Sequence, residues 1–592
     1  MRVRHFRGPT LPAAVTMIQN PTKTLTEIRH VICERCFTLI AGGLLAILAA
    51  LLIGSAANES PTNDETNHLA AGYVYLTTGE YSMDLSHPPL GRVLAALPLL
   101  SLPIQYTPAN RAWAEINQFL WRNPVPGETI LFRARLAVIT LTILCGGWLV
   151  WWTRRNFGAA IALLALTFFV FDPNLIAHGH YVTTDLIATL GIFLAVTLWT
   201  SFLLKPNLKH LVAAGVGLGL ALVSKYSAVF LLLVFPLLYC LAWQYHRGRR
   251  FFTWRAAMLV FVVISITAGS VIALTYAPQA ISRFRDLRAA GYQSTRLDRL
   301  FVAILGSNPA AGRSIAILGR AAGEPFYAYV LGLNEVIKHN ADGHRAYLLG
   351  RFSNHGWWQY FPVVFLVKTT TAVLLASFLA LVSLFFSWRR FHPRLLDLCI
   401  ALPPMIFFAL AMRASINIGI RYILPVYPFL YVCLAFIWVQ HSTALLRKAR
   451  CWVLGGLIVM LCAESLKTYP HYLAFFNWPS GGPVNGPRYL LDSNIDWGQD
   501  LPALKHYIDE HGAMPLCTAL FGSRYLRQYG VTSRDLLATG IPEGVENLSC
   551  VVAVSVNFLT GLYVSPYLFA PLRQREPMAR IGYSIYVYDL RR

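Results

Sequence analysis

Apolar residues run along this chain in blocks close to bilayer length, separated by short polar joints. The blocks fall roughly at 37–56, 134–153, 158–172, 185–204, 211–223, 226–243, 254–276, 359–388, 397–412, 420–440 and 451–467. Each predicts a helix that crosses a membrane, about eleven in all. The stretch 211–243 is divided only at Ser224-Lys225-Tyr226-Ser227.

Three polar regions interrupt this pattern: 57–133, 277–358 and 468–592. The last changes character. DLPALKHYIDEHG (500–512) reads as an amphipathic helix, and CTALFG (517–522), CVVAVSV (550–556) and YSIYVYDL (583–590) read as short strands. The domain organisation expected is a basic tail over 1–36, a membrane domain over 37–467 with outer loops 57–133 and 277–358, and a small α/β domain over 468–592. Cys517 and Cys550, the two cysteines in that last region, form either a disulfide between strands or a pair of buried thiols.

Composition agrees: 592 residues, 56% hydrophobic and 13% charged, exclude a soluble protein of this size. The net charge of +22 could suggest nucleic acid, but much of it sits in the short joints. Arg154-Arg155, KPNLKH (205–210), HRGRRFFTWR (246–255), RRFHPR (389–394) and RKAR (447–450) are the alternate joints, and each is basic. The positive-inside bias therefore places the N-terminal tail in the cytoplasm and the C-terminal region outside. The tail carries Arg2, Arg4, Arg7, Lys23, Arg29 and Arg35 with no small-residue cleavage site, which argues for an uncleaved helix over a transit peptide. No nucleic-acid partner is expected. Cys33-x-x-Cys36 has no second ligand pair nearby, which weighs against a metal site there.

The first outer loop concentrates chemistry in NDETNHLAAGYVYLTTGEYSMDLSHPPLGR (63–92). Asp64 and Glu65 follow the first apolar block and fall at the water–lipid boundary. Partial loss of hydration there makes a carboxylate a better proton acceptor. The plainer role is a helix cap, which accounts for one acid. It leaves unexplained the second acid, Asp84, and the ledge His87-Pro88-Pro89-Leu90-Gly91-Arg92, whose paired prolines stiffen the backbone carrying His87 and Arg92.

The DE pair and the HPPLG-R ledge resemble those of protein O-mannosyltransferases and lipid A aminoarabinose transferases, members of the GT-C superfamily of membrane glycosyltransferases. FDPNLIAHGHYVTTD (171–185), SKYS (224–227), GRFSNHGWWQYFPVVFLVK (350–368), NIGIRYILPVYPF (417–429) and YLLDSNIDWGQDL (489–501) are similar to bacterial relatives. The resemblance implies a GT-C fold in a bacterial inner membrane, a polyprenyl-phosphate sugar as donor, and a glycan, lipid or protein hydroxyl as acceptor. It also implies Asp64, with Glu65 beside it, as the base in an inverting displacement. The aminoarabinose branch has Lys where this chain has His87 and Arg where it has Asn67, which weighs against carrying over that branch's sugar specificity or its zinc. A divalent metal stays open, with no ligand set identified.

A departing phosphate at the membrane boundary needs fixed cations. Lys225, Arg421, Arg92 and Lys368 qualify by depth, against the plainer reading that each snorkels to interfacial water. His87 belongs to the same expected set. Asp185, at the start of the fourth block, is expected to orient the acceptor, hold His180 or pair with a phosphate-binding cation, against capping its own helix. His178 and His180 with that acid suggest a metal without further ligands. RFRDLRAAGYQSTRLDR (283–299) suits a helix on anionic headgroups. Trp357-Trp358 suits an interfacial anchor. DSNIDWGQD (492–500) reads as an Asx-rich turn, with a carbohydrate contact as the sharper alternative. A protein O-mannosyltransferase is the second functional reading. A lipid-linked-sugar or solute transporter is the rival from another class.

Overall fold

The computed structural model describes residues 21–81, 83–106, 119–246, 251–289, 309–387, 392–440, 444–541 and 544–591. The basic tail up to residue 20, joint residues 247–250 and 389–391, and most of the arginine-rich run 283–299 lie outside the described residues, as does the Cys33 side chain.

The chain is mostly helical. Six of the described helices are long and apolar enough to cross a membrane: Glu34–Asn58, Gly127–Phe157, Asp185–Leu204, Tyr226–Tyr245, Trp254–Thr275 and Cys451–Thr468. The expected blocks 158–172, 211–223, 397–412 and 420–440 hold the shorter apolar helices Ala159–Val170, Leu208–Leu222, Leu395–Ala411 and Val426–Gln440, which fall short of spanning length by themselves. The block expected as one span over 359–388 is broken into Tyr360–Lys368 and Thr371–Phe386, bent by 110°. The cause is local polarity. Lys368 Nζ donates to the carbonyls of Leu473 (2.9 Å) and Asn494 (2.7 Å), Asn477 Nδ2 donates to the Thr369 carbonyl (2.8 Å), and Glu464 accepts from the Thr371 amide (2.7 Å). Each bond satisfies a group that a straight helix in lipid would leave unpaired or bury as a bare charge.

Small residues bring the helices close. A Cβ on Gly217 would lie 3.1 Å from Ala195 Cα, so Leu208–Leu222 and Asp185–Leu204 touch backbone to backbone. Trp199, fully buried, stacks on Phe235 with ring centroids 4.7 Å apart.

Two sheets accompany these helices. Strands β1 (Ala346–Leu348) and β2 (Arg351–Ser353) form a hairpin. Strands β3 (Leu516–Ala519), β4 (Arg534–Asp535), β5 (Val551–Ser555), β6 (Ala579–Ile581) and β7 (Ile585–Asp589) form one sheet in the order β4-β3-β5-β7-β6. β3 runs parallel to β4 and β5, while β7 is antiparallel to β5 and β6. Side chains alternate: Val551, Ala553, Ile585 and Val587 pack with Leu501, Leu504 and Ile508 of helix Leu501–His511, and Val552, Val554, Tyr586 and Tyr588 join the main core. The Cys517–Cys550 disulfide ties β3 to the residue before β5.

The segment between the last long helix and this sheet lies against the first loop. The Ser60 amide donates to the Gln499 carbonyl (2.9 Å) and the Asn63 amide to the Trp497 carbonyl (3.0 Å).

Candidate functional site

Helix Asn63–Thr78 begins with Asp64 and Glu65 in its first turn. Neighbouring residues on a helix point about 100° apart, so the two acids face different surroundings. Asp64 lines a cavity of about 980 Å³. Glu65, expected beside it in the chemistry, does not line that cavity. It is fully buried, and its carboxylate accepts from Arg135 Nε (2.9 Å) and Nη2 (2.7 Å), the Thr62 amide (2.8 Å) and the Val182 amide (2.9 Å). Arg135 also donates to the carbonyls of Ala56, Glu59 and Ser60, each at 2.9 Å. This pair fixes the turn that presents Asp64.

The ledge is built from the side as well as along the chain. Arg92 is buried; it ion-pairs with Asp84 and donates to the Asp84 carbonyl (2.8 Å), Tyr75 hydroxyl (3.0 Å) and His68 Nδ1 (2.9 Å). A Cβ on Gly72 would come within 2.2 Å of the Arg92 carbonyl, so only glycine lets helix Leu90–Ala96 lie this close to Asn63–Thr78. Arg92 therefore braces the ledge and does not line the cavity. His87 does line it, as does His68, with ring centroids 5.0 Å apart. Burial and the Arg92 charge push His87 down to about 3 and His68 well below the usual imidazole value, so both rings are neutral near pH 7. Because Arg92 Nε–H donates to His68 Nδ1, the His68 proton sits on Nε2.

Lys225 reaches the cavity because helix Leu208–Leu222 stops three residues earlier. Its ammonium ion-pairs with Asp185, in the first turn of Asp185–Leu204, and lies 4.6 Å from the Tyr422 ring centroid. Arg421 stands in a short 3₁₀ turn, Ile420–Ile423. Its Nη1 is 2.9 Å from Asp64 Oδ2 and 3.9 Å from Asp185 Oδ2, and its guanidinium lies 4.3 Å from the Trp497 ring centroid. Asp64, Arg421, Asp185 and Lys225 thus form an alternating chain of charge along one wall.

The structure brings together Asp64, His87, Lys225 and Arg421 as cavity-lining groups, with Asp185 joining the cations from behind. Lys368, buried among backbone carbonyls, does not line the cavity. His180 pairs with Glu59 (2.8 Å) rather than with Asp185. Among the described residues no group of three His, Cys, Asp or Glu side chains is arranged to hold a metal ion.

Several lining residues escape the reading of the sequence: His68, Tyr422, His344, Asp492 and Tyr563. His68 lies four positions after Asp64, so helical spacing could have found it. Asp492 belongs to the stretch read as an Asx-rich turn, with a carbohydrate contact as the alternative; it adopts a left-handed backbone (φ +61°) and accepts hydrogen bonds from the Ser493 amide (2.5 Å) and the Tyr563 hydroxyl. Burial raises its carboxyl above the ordinary value. The lining also includes the apolar side chains Phe230, Leu333, Val336, Phe407 and Leu410.

One cavity in the helical body thus gathers a carboxylate, two cations and apolar side chains. Residues 41–279 match the family model described as dolichyl-phosphate-mannose-protein mannosyltransferase. No curated protein matches the chain. Among solved structures, ArnT from Cupriavidus metallidurans in the apo state is similar at 13% identity, over 94% of this chain and 98% of that one, with a TM-score of 0.45. The protein O-mannosyltransferase Pmt1-Pmt2 complex of S. cerevisiae bound to the sugar donor shows 11% identity over 73% of this chain and 89% of that one, TM-score 0.49. The apo oligosaccharyltransferase of Archaeoglobus fulgidus shows 11% identity over 91% and 72%, TM-score 0.43.

Proposed function

We propose that this chain transfers one sugar from a polyprenyl-phosphate carrier to an acceptor hydroxyl, with inversion at the anomeric carbon. The observation that carries the reading is the convergence of Asp64, Lys225 and Arg421 on one cavity that also has apolar side chains in its lining. The acceptor oxygen attacks the anomeric carbon and its proton passes to the Asp64 carboxylate. The bond from that carbon to the phosphate oxygen breaks, and the electron pair leaves with the phosphate, facing Lys225 and Arg421. Fixed cations at a developing anion lower the barrier most where water is scarce. The apolar lining suits the first isoprene units of the carrier, and His87 supplies a neutral hydrogen-bonding group near the phosphate or sugar.

In this reading the cavity opens on the extracytoplasmic side of a bacterial inner membrane. The N-terminal tail lies in the cytoplasm, and residues 468–592 form an α/β domain outside. The family's description supports protein O-mannosylation as the second reading.

The test is Asp64→Asn in detergent, where no transmembrane gradient exists. Release of polyprenyl phosphate from a polyprenyl-phosphate sugar should fall by about 10²–10⁴-fold, while the variant still binds undecaprenyl phosphate. Undiminished turnover would remove the base from the mechanism, and turnover that needs sealed vesicles would favour a transporter.

A further inference from the structure

If the cations and the apolar lining take the carrier phosphate and its lipid, the rest of the cavity is left for the group that receives the sugar. That remaining wall comes from sequence far from the catalytic loop. It consists of Asp492, Tyr563 and Phe521, with His344 from the turn before β1 and Trp497 beside Asn63.

Three observations single out this wall. Asp492 holds a left-handed backbone, uncommon for a residue with a side chain, and the Asn557 side-chain carbonyl accepts its amide hydrogen at 2.8 Å. Its carboxylate accepts from the Ser493 amide and the Tyr563 hydroxyl, which leaves lone pairs facing the cavity. His344 stands close enough to feel its charge. Phe521, stacked on Phe558 at 5.3 Å, and Trp497 supply flat apolar faces beside these polar atoms. Among the described residues no Lys or Arg other than Lys225 and Arg421 lines the cavity, and both of those already face acids.

We infer that Asp492, Tyr563 and His344 form the acceptor subsite and that the acceptor is a neutral, polyhydroxylated glycan; this rests on the transferase reading above. A carboxylate, a phenol and an imidazole beside aromatic faces match vicinal hydroxyls and the C–H face of a sugar ring. A carboxylate accepting O–H donors makes the stronger kind of hydrogen bond. An anionic acceptor would meet Asp492 with like charge, and a peptide would offer fewer hydroxyls to these acceptors. Asp492 lines the same cavity as Asp64, where an acceptor hydroxyl must come within about 3 Å of the base.

The experiment uses the full chain in a detergent without a sugar headgroup. Probes are a neutral oligosaccharide panel, a threonine-containing peptide and undecaprenyl phosphate, with calorimetric binding for wild type, Asp492→Asn, Asp492→Ala and Tyr563→Phe. The expected result is oligosaccharide binding weakened about tenfold or more in Asp492→Ala and Tyr563→Phe, partial recovery in Asp492→Asn, and undecaprenyl phosphate binding within about twofold of wild type. Hydrolysis of a polyprenyl-phosphate sugar, which needs only water as acceptor, should fall by a smaller factor than oligosaccharide binding in all three. Equal oligosaccharide binding in every protein, or preferential binding of the peptide, overturns the inference. Joint loss of undecaprenyl phosphate binding and hydrolysis would show a structural role for Asp492 and also overturn it. Wild-type protein that neither binds undecaprenyl phosphate nor hydrolyses a carrier-linked sugar would sink the transferase reading itself, a distinguishable outcome.

Discussion

Arg421 Nη1 sits 2.9 Å from Asp64 Oδ2, across 357 positions of sequence. The contact joins the first loop to the turn before the penultimate long helical block, and it puts the proposed base in direct contact with a proposed phosphate ligand. Arg421 also lies on the face of Trp497, which limits its freedom to follow Asp64 if the acid moves.

Substitution of Arg421 should therefore act on chemistry more than on carrier affinity. Arg421→Gln is expected to lower kcat by about 10²–10³-fold. Arg421→Lys should recover part of this, since the charge stays while the planar fork is lost. Steady-state kinetics with a carrier-linked sugar would decide it; a pure rise in KM with kcat intact would instead make Arg421 a binding group only.

Much of this arrangement is legible along the chain. The DE pair, the His-Pro-Pro ledge, the interrupting Lys225 and the boundary Arg421 are all visible as polar residues beside apolar blocks. Less legible is which way each one points. Glu65 and Arg92 look like Asp64 and Lys225 by depth, yet both turn inward because buried partners 70 and 8 positions away claim them. Lys368 reads as a deep cation in need of an acid, but it is held by carbonyls of residues 473 and 494. The break after it is set by Glu464 and Asn477, whose bonds cross about a hundred positions, so hydropathy alone draws one straight span.

Glu65 and Arg135 give a contrasting expectation. Both side chains are fully shielded from solvent, and removing one partner strands the other's charge. Glu65→Ala should cost about 3–5 kcal/mol of stability. The folded fraction, normalised by undecaprenyl phosphate binding, should keep a substantial share of its turnover. A folded Glu65→Gln protein as inactive as Asp64→Asn would return Glu65 to the chemistry.

Acid should weaken this fold through the histidine ledge. His87 and His68 have folded-state affinities for protons below that of an unfolded imidazole, so below pH 6.5 the unfolded chain binds more protons than the native one. Stability from these groups is present above about pH 6.5 and drains away as pH falls toward 3. The slope is up to about 1.4 kcal/mol per pH unit for each group. In His87→Gln the drop in Tm between pH 7 and pH 5 should be shallower than in wild type, and parallel curves for the two proteins would contradict the assignment.

Asp496 titrates with the opposite sign. It is buried between the segment after the last long helix and the end of β5, where it accepts from the Ser555 hydroxyl and from the Gly498 amide at 3.1 Å. Burial pushes its carboxyl up to about 7, with Asp500 and Asp492 adding like charge. The native state then holds a proton that the unfolded chain releases near pH 4. Its stabilising contribution is complete below that pH and is lost as pH rises through 7. Asp496→Asn keeps the shape and, through Oδ1, the bond from the Gly498 amide, while its Nδ2 donates to the Ser555 hydroxyl in place of accepting from it; the side chain carries no charge to bury. Its Tm should match wild type near pH 5 and exceed it at pH 8, read by thermal unfolding of the detergent-solubilised chain at both values. A gain of equal size at the two pH values would mean that the substitution acts through packing, and that Asp496 is ionised throughout.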